Sequence, residues 1–215
     1  MADKSELLIE DLIKRYPVLG SSRSSIFSAA GILIETIRSE GKILTCGNGG
    51  SSADADHIVG ELMKGFIKRR PLPASRKKAL IKTAGSYGEK IAETLQQGIP
   101  AVSLSSQNAL NTAFINDVDP EMFFAQQVAA LGNPGDLLWC LSTSGNSANV
   151  AAAAVTGKAF GLKTLALTGR NPSRLSEICD ICINVDETET YKIQELHLPV
   201  YHTLCMIIEE NFFSV

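Results

Sequence analysis

The chain has 215 residues, of which 45% are hydrophobic and 20% charged, and its formal net charge is −3. This composition is that of an ordinary globular protein; it excludes a disordered chain and gives no support to a nucleic-acid partner. No apolar run approaches the ~18 residues of a membrane span, and residues 1–6 contain no apolar signal core, so we expect a cytoplasmic protein without a membrane partner.

The cysteines predict a reducing compartment, because their number is odd and they lie in apolar stretches. Cys179 and Cys182 could be a redox or metal pair. However, they lie in a strand-like run, residues 178–185, where side chains three positions apart point to opposite faces. We therefore expect buried structural thiols. The five cysteines are Cys46, Cys140, Cys179, Cys182 and Cys205.

The first part of the chain predicts two amphipathic helices. Apolar residues recur at helical spacing in residues 5–16 and 22–38, for example Leu8, Leu12 and Ile13 in the first stretch. Because both stretches precede the first predicted strand, they stand outside any alternation of strands and helices. We expect an N-terminal helical extension over residues 1–40 that forms an antiparallel pair or a subunit interface.

From residue 43 onwards, continuous apolar strands alternate with helices. One helix is predicted to begin with Asp119 as N-cap and Pro120 in its first turn, and to continue through Leu131. The alternation predicts a parallel sheet covered by helices on both faces. The predicted strands are residues 43–46, 101–105, 136–141, 163–167 and 181–185, and further helices are predicted from residue 53, after the second strand, and at residues 148–160 and 191–211.

Residues 43–63 have the pattern of a strand, a glycine-rich loop and the start of a helix. Three glycines in the loop, residues 47–52, let the backbone approach a ligand closely. The helix expected from Ala53 presents unpaired N–H groups and a partial positive charge, which favours a bound anion such as phosphate. His57 and Glu61 are spaced i,i+4, so they share one helix face beside this site. The alternative is that this face is only solvated.

The loop at residues 142–147 repeats this arrangement after another strand. Its hydroxyls and its glycine can donate side-chain and backbone hydrogen bonds to phosphate oxygens. In an open α/β sheet, such loops line the ligand crevice at the carboxyl ends of the strands. The alternative is that the hydroxyls merely cap a helix, for which one serine would suffice. The hydroxyl residues are Ser142, Thr143, Ser144 and Ser147.

These two loops resemble those of the sugar isomerase (SIS) domain family, and further motifs resemble its phosphoheptose isomerases. The motifs are CGNGGS at residues 46–51 with His57 and Glu61, Asn-Asp at 116–117, LSTSGNSANV at 141–150, and IQELH at 193–197 followed by His202. The resemblance covers nearly the whole chain. It implies an α/β fold, a single SIS domain over residues 1–215 with a five-stranded parallel sheet in a flavodoxin-like, three-layer αβα sandwich.

The resemblance also implies an activity and an assembly. The expected reaction converts sedoheptulose 7-phosphate to D-glycero-D-manno-heptose 7-phosphate through an enediol(ate), for the synthesis of heptose precursors of cell-surface polysaccharides. The expected partners are the sugar phosphate and further copies of the chain, in a homotetramer with sites between subunits. The resemblance also places Glu61 and His202 of one site on different subunits. The expected cofactor is one zinc ion per site.

Individual residues match the family's functional positions. Glu61 and His202 match the acid/base residues, and the implied metal ligands are His57, Glu61, Gln194 and His202. The implied substrate contacts are Asn48, Gly49, Gly50, Ser51, Glu61, Asn116, Asp117, Ser142, Thr143, Ser144, Ser147 and Gln194. Two alternatives stay open: Asn116 and Asp117 could form a plain turn, and the aromatic residues His197, Tyr201 and His202 could simply pack at an interface.

The chemistry of the residues agrees with this assignment in outline. Moving a carbonyl between C2 and C1 requires one group that takes a proton from carbon and another that handles an oxygen-bound proton. A carboxylate and an imidazole suit these roles, and zinc could polarise the carbonyl. On an ideal helix, however, Gln194 and His202 lie ~12 Å apart along the axis. Sharing one ion would require a kink at Pro199 or ligands from different subunits.

Three features depart from the phosphoheptose isomerase pattern. The segment at about residues 74–98, with a helical stretch at 89–97, is longer than usual; it could be a lid, could reshape a neighbouring site, or could be a solvated insertion. Ser106 and Tyr191 stand near positions that are often acidic, which affects recognition of sugar hydroxyls. Two alternative functions therefore stay open: a phosphosugar enzyme with a hexose or amino-sugar substrate, and a noncatalytic SIS module that binds a sugar phosphate or a regulatory partner.

Overall fold

The computed structural model describes residues 4–213. Residues 1–3 lie outside it. They begin both the helical extension predicted for residues 1–40 and the stretch 1–6, which was expected to contain no signal core. In chain order the helices are α1 (Lys4–Arg15), α2 (Arg23–Arg38), α3 (Gly50–Met63), α4 (Ala74–Thr94), α5 (Asn108–Asp117), α6 (Phe123–Leu131), α7 (Ala148–Ala159), α8 (Arg174–Ile178) and α9 (Thr190–Phe212). The strands are β1 (Ile43–Gly47), β2 (Ala101–Ser103), β3 (Leu137–Leu141), β4 (Lys163–Thr168) and β5 (Ile181–Asn184).

The five strands form one parallel sheet in the order β2-β1-β3-β4-β5. This is the strand order of flavodoxin-like folds, in which ligands bind beyond the carboxyl ends of the strands at the point where the order reverses. That point lies between β1 and β3, which pair with Gly47 opposite Leu141. The predicted five-stranded parallel sheet is confirmed, and its switch point falls between the two loops that the sequence singled out.

Alternate residues of the strands point into two separate cores, as the period of a strand requires. Leu137, Trp139 and Leu141 pack in the core that α1, α2, α3 and α9 cover. Leu138 and Cys140 pack in the core that α6, α7 and α8 cover. Every residue of β3 is buried, which explains why a strand enclosed on both faces is continuously apolar. The three-layer αβα sandwich is therefore confirmed.

Two helix starts differ from the predictions. α3 begins at Gly50 rather than Ala53, because Gly49 takes a φ of 55° and turns the chain directly from the strand end into the helix. α6 begins at Phe123, so the predicted N-cap role of Asp119 is wrong. The Asp119 carboxylate instead accepts a hydrogen bond from the backbone N–H of Glu121 (2.7 Å), which stabilises a turn ahead of the helix.

The cysteines are free thiols, and all but the half-buried Cys182 are buried. Cys179 follows α8 as its C-cap and does not belong to β5, so the argument from strand alternation was wrong for this residue. The expectation of buried thiols is nevertheless confirmed for Cys46, Cys140, Cys179 and Cys205. Along residues 4–213, no helix combines the length and apolar character that a bilayer crossing requires.

The segment that we expected to be an insertion forms a helical hairpin. α4 is interrupted at Ala84 and Gly85, where Gly85 has a φ of 55°, and its two halves touch where Gly88 lies against the carbonyl of Leu80. The helix ends at Thr94, so the helical stretch predicted to reach residue 97 is shorter than expected. Most of its side chains are exposed, among them the large ring of Tyr87.

Candidate functional site

The two predicted anion-binding loops lie side by side. Because β1 and β3 are neighbours in the parallel sheet, the loops that follow them emerge at the same edge. The side-chain amides of Asn48 and Asn149 exchange two hydrogen bonds, at 2.9 and 3.0 Å, and so join the first loop to the start of α7. The N-termini of α3 and α7 therefore lie next to each other, and the partial positive charges of both helices favour an anion bound between them.

The second loop is held in shape by its own hydroxyls. The oxygens of Ser142 and Ser147 lie 3.1 Å apart, and the hydroxyl of Ser144 accepts a hydrogen bond from the N–H of Asn146 at 3.1 Å. Ser147 is the N-cap position of α7, but its side chain makes no capping hydrogen bond. The alternative that these serines only cap a helix therefore finds no support at Ser147.

A cavity adjoins this loop. It is lined by Thr143 and Ser144 on one side and by Arg170, Glu187 and Thr188 on the other. Those last three residues follow β4 and β5 and were not predicted from the sequence. Their position after strand ends could have predicted that they lie at the site, because the carboxyl ends of all strands in a parallel sheet lie at one edge.

The proposed catalytic side chains meet where α3 and α9 pack. Nε2 of His57 lies 3.3 Å from Oε1 of Glu61, as the i,i+4 spacing predicted. The rings of His57 and His202 lie 5.0 Å apart between centroids, and the phenol of Tyr201 lies 2.9 Å from Nδ1 of His57. Glu61 is largely buried, and Nζ of Lys64 lies 3.4 Å from its Oε2. One chain thus brings Glu61, His57 and His202 together, whereas the resemblance implied that Glu61 and His202 of one site lie on different subunits.

Burial controls the ionisation of this cluster. Burial and the neighbouring His57 lower the pKa of His202 below its ordinary value, which keeps the imidazole neutral near pH 7. Burial raises the pKa of Asp54, and burial together with the Asp54 charge raises the pKa of Tyr201. His197 is fully buried, and burial lowers its pKa to about 4. His197 therefore packs in the interior of its own chain, and not at a surface that could form an interface.

Gln194 lies at a different place from His202. A Cβ atom on Gly50 would come within 2.4 Å of Nε2 of Gln194, so this amide rests on the first turn of α3. α9 runs alongside α3, with Gln194 near Gly50 and Tyr201 near Asp54 and His57. The helix continues through Pro199 to Phe212.

The donor set fits zinc chemically, because it offers imidazole nitrogens and a carboxylate. In addition, Nε2 of His202 is buried and has no hydrogen-bond partner within residues 4–213. Although these side chains lie near one another, no three His, Cys, Asp or Glu side chains of the described chain are placed to hold an ion together.

The remaining predicted contacts lie elsewhere. Asn116 and Asp117 end α5, where Asn116 donates a hydrogen bond to Asp117 at 2.8 Å, and within residues 4–213 neither side chain bonds to the two loops. Ser106 donates a hydrogen bond to Oδ1 of Asp56 at 2.6 Å, so a carboxylate does stand beside it. Tyr191 is exposed at the start of α9.

A buried ion pair fixes the segment that follows the cluster. Arg70 is 1% exposed and donates to Glu209 (2.9 Å) and to the carbonyls of Leu62 (2.8 Å) and Glu61 (3.3 Å). Glu209 also accepts backbone hydrogen bonds from residues 66–68 at 2.8 to 3.0 Å. This network ties the end of α3, which carries Glu61, to α9, which carries His202. The sequence offered no spacing from which it could be predicted.

Comparisons with known proteins agree on one family. The SIS domain is matched by residues 13–97 and 78–169 of the chain. The phosphoheptose isomerase of Rhodospirillum rubrum is 36% identical over 196 residues, which cover 91% of this chain and 90% of that protein. The phosphoheptose isomerase of Helicobacter pylori is 38% identical over 194 residues, which cover 90% of this chain and 88% of that protein.

Solved structures give the same result. The phosphoheptose isomerase of Neisseria gonorrhoeae superposes with a TM-score of 0.71 at 29% identity, over 95% of this chain and 93% of that one. The enzyme of Francisella tularensis superposes with a TM-score of 0.71 at 30% identity, over 87% of this chain and 86% of that one.

Proposed function

The chain belongs to the SIS domain family, and from this premise we propose the reaction that it catalyses and the part that each residue takes. Its relatives over about nine-tenths of its length are named phosphoheptose isomerases. It is an aldose–ketose isomerase that converts sedoheptulose 7-phosphate to D-glycero-D-manno-heptose 7-phosphate. The observation that carries this function is that one chain presents two adjoining helix N-termini and, farther along α3, a carboxylate clustered with two imidazoles.

The phosphate is bound by the two loops. Backbone N–H groups at the starts of α3 and α7 and the hydroxyls of Ser51, Ser142 and Ser144 donate hydrogen bonds to its oxygens. Because this contact holds the phosphate at one end of the sugar, it also orients the carbonyl at the other end. The proposal includes further contacts to the sugar or its phosphate. They come from Thr143, Ser147, the side-chain amides of Asn48 and Gln194, and Asn116 and Asp117.

Proton transfer is assigned to the cluster. Glu61 removes a proton from C1 of the ketose and returns a proton to C2, while His202 moves the hydroxyl proton between the two oxygens. The low pKa that burial gives His202 suits this role, because a neutral imidazole accepts a proton. The result is an enediol(ate) whose collapse leaves the carbonyl at C1.

A zinc ion is part of the proposal. His57, Glu61 and His202 would hold it, with Gln194 as a further ligand from the same or a neighbouring subunit. The unpartnered Nε2 of His202 supports this assignment. When bound, the ion would polarise the sugar carbonyl.

Assembly and location are further parts of the proposal. A homotetramer with sites between subunits is supported by the separate positions of Gln194 and His202 on α9, since a second chain could complete either half of the site. A cytoplasmic location, and a role in supplying heptose precursors, are supported by the free thiols and by the names of the relatives.

The decisive experiment is the reaction itself, run in D₂O. Sedoheptulose 7-phosphate should give an aldoheptose 7-phosphate that carries deuterium at C2, because the proton that reaches C2 passes through a side chain in exchange with solvent. Glu61→Gln should lower kcat by about 100-fold or more. Mass spectrometry and NMR of the product measure both effects. Failure of the zinc-supplied wild type to convert any C6 or C7 sugar phosphate would reject the proposal.

A further inference from the structure

Tyr201 connects Asp54, which the proposed mechanism does not use, to His57, which that proposal names as a metal ligand. Its ring is fully buried, and its hydroxyl donates a hydrogen bond to Oδ1 of Asp54 at 3.2 Å. The same hydroxyl oxygen lies 2.9 Å from Nδ1 of His57. Asp54 and His57 are three residues apart on α3, so they share one face of that helix.

The donors and acceptors in this chain of contacts can be assigned. A phenol has one proton, and an ionised carboxylate can only accept hydrogen bonds. Because the Tyr201 proton is directed to Asp54, its contact with His57 is a hydrogen bond only if Nδ1 carries the imidazole proton. Nε2 of a neutral His57 then holds a lone pair, and it faces Oε1 of Glu61 at 3.3 Å.

We propose that Asp54 and Tyr201 are positioning residues that hold His57 as its Nδ1–H tautomer and leave Nε2 free to bind the metal ion. Histidine ligands are oriented in this way when their second nitrogen donates to a fixed acceptor. The use of Nε2 rests on the proposed function, whereas the tautomer is a property of the metal-free protein.

The hydrogen-bonded relay of Asp54, Tyr201 and His57 also fixes α3 and α9 relative to each other. Tyr201 precedes His202 on α9, and both rings pack edge-on against His57, at 5.5 and 5.0 Å between centroids. A hydrogen bond from His57 to Tyr201 therefore sets the orientation of the imidazole and its distance from His202 at once. Loss of the phenol oxygen releases this constraint but leaves the buried ring in place.

The first test measures the tautomer by ¹⁵N NMR of the metal-free protein during a titration to alkaline pH, in the range where the ¹⁵N shifts of His57 no longer change with pH. The chain has only three histidines, so the spectrum can be assigned with His197 and His202 variants. We expect the Nδ1–H form of His57 in the wild type and loss of this preference in Tyr201→Phe. Zinc affinity in a chelator competition should fall about 10- to 100-fold in the same variant. Tyr87→Phe, at an exposed position of α4, is the matched control and should change neither result.

The second test uses two variants of Asp54 that keep the Tyr201 ring in place. Asp54→Ala frees the phenol proton for Nδ1, so His57 should shift to its Nε2–H form, whereas Asp54→Asn presents an oxygen at the same position and should preserve the Nδ1–H form. A wild type without the Nδ1–H form, or an Asp54→Ala variant that keeps it, would overturn the proposal. Unchanged zinc affinity in both Tyr201→Phe and Asp54→Ala would also overturn it. A fixed tautomer in a wild type that binds no zinc would leave the relay standing and would reject the zinc assignment of the proposed function instead.

Discussion

Ser144 illustrates how a single hydroxyl can serve both the loop and its ligand. Its oxygen accepts from the N–H of Asn146, and its own carbonyl accepts from the side chain of Asn146 at 3.0 Å. Among the described residues no side chain or carbonyl accepts the Ser144 hydroxyl proton, so this proton is available to a phosphate oxygen. The residue also lines the cavity beside Arg170 and Glu187.

Substitution of Ser144 tests the phosphate assignment. Ser144→Ala should weaken binding of a sugar phosphate by roughly 1–3 kcal/mol, because a hydrogen bond to a charged group is lost. Isothermal calorimetry measures the change, and Ser24→Ala, at an exposed position of α2, is the matched control. An affinity equal to that of the wild type would remove Ser144 from the site.

Residue contacts differ in how far the sequence reveals them. The approach of His57 to Glu61 was predicted, because four residues on a helix fix the distance between two side chains. The contact of Tyr201 with Asp54 joins residues 147 positions apart, and it depends on how two helices pack, which no local spacing encodes. The same holds for the contact between Arg70 and Glu209, which lie 139 positions apart in the sequence.

At the scale of secondary structure, the apolar strands were predicted nearly to their ends, because burial on both faces requires continuous apolar residues. The helix starts were predicted less accurately, because a glycine or a proline near a helix start is compatible with more than one type of turn. Gly49 brought the start of α3 forward by three residues, and Asp119 closed a turn instead of capping α6. The five-residue helix α8 was missed, because it is too short for a periodic pattern to stand out.

The packing of α9 on α3 leads to a prediction about Gly50. A methyl group there would displace the Gln194 amide, which would rotate away, so Gly50→Ala should lower kcat/KM without unfolding the protein. If Gly50 serves to seat Gln194, the double variant Gly50→Ala/Gln194→Ala should be no worse than the poorer single variant. Steady-state kinetics and thermal melts measure this cycle.

A helical glycine with free space around it provides the control. An added Cβ at Gly31, inside α2, meets nothing within 4 Å in the described structure. Gly31→Ala should therefore keep full activity and gain up to about 1 kcal/mol of stability from helix propensity. Additive losses in the Gly50 cycle would mean that Gly50 and Gln194 act separately.

At the scale of the whole molecule, the sandwich followed from the alternation of strands and helices, but the arrangement of subunits does not follow from any pattern in one chain. The described chain nevertheless divides the predicted site residues into two groups. Glu61, His57 and His202 meet within one chain, whereas Asn116 bonds to Asp117 and, among the described residues, neither side chain makes a hydrogen bond to the two loops. If sites lie between subunits, the second group is the one that a neighbouring chain would supply.

Mixing of inactive variants can separate these two groups. Glu61→Gln mixed with His202→Ala should recover no activity after dissociation and reassembly, because both residues of a site come from the same chain. Glu61→Gln mixed with Asp117→Asn should recover activity in about a quarter of the sites if Asp117 comes from the neighbour, since random assembly then pairs one intact Glu61 with one intact Asp117 in that share of interfaces. Mass spectrometry of intact complexes would establish that mixed oligomers have formed. Recovery in the first mixture would show that Glu61 and His202 of one site belong to different chains, and no recovery in the second would place Asp117 either in the same chain as Glu61 or outside the site.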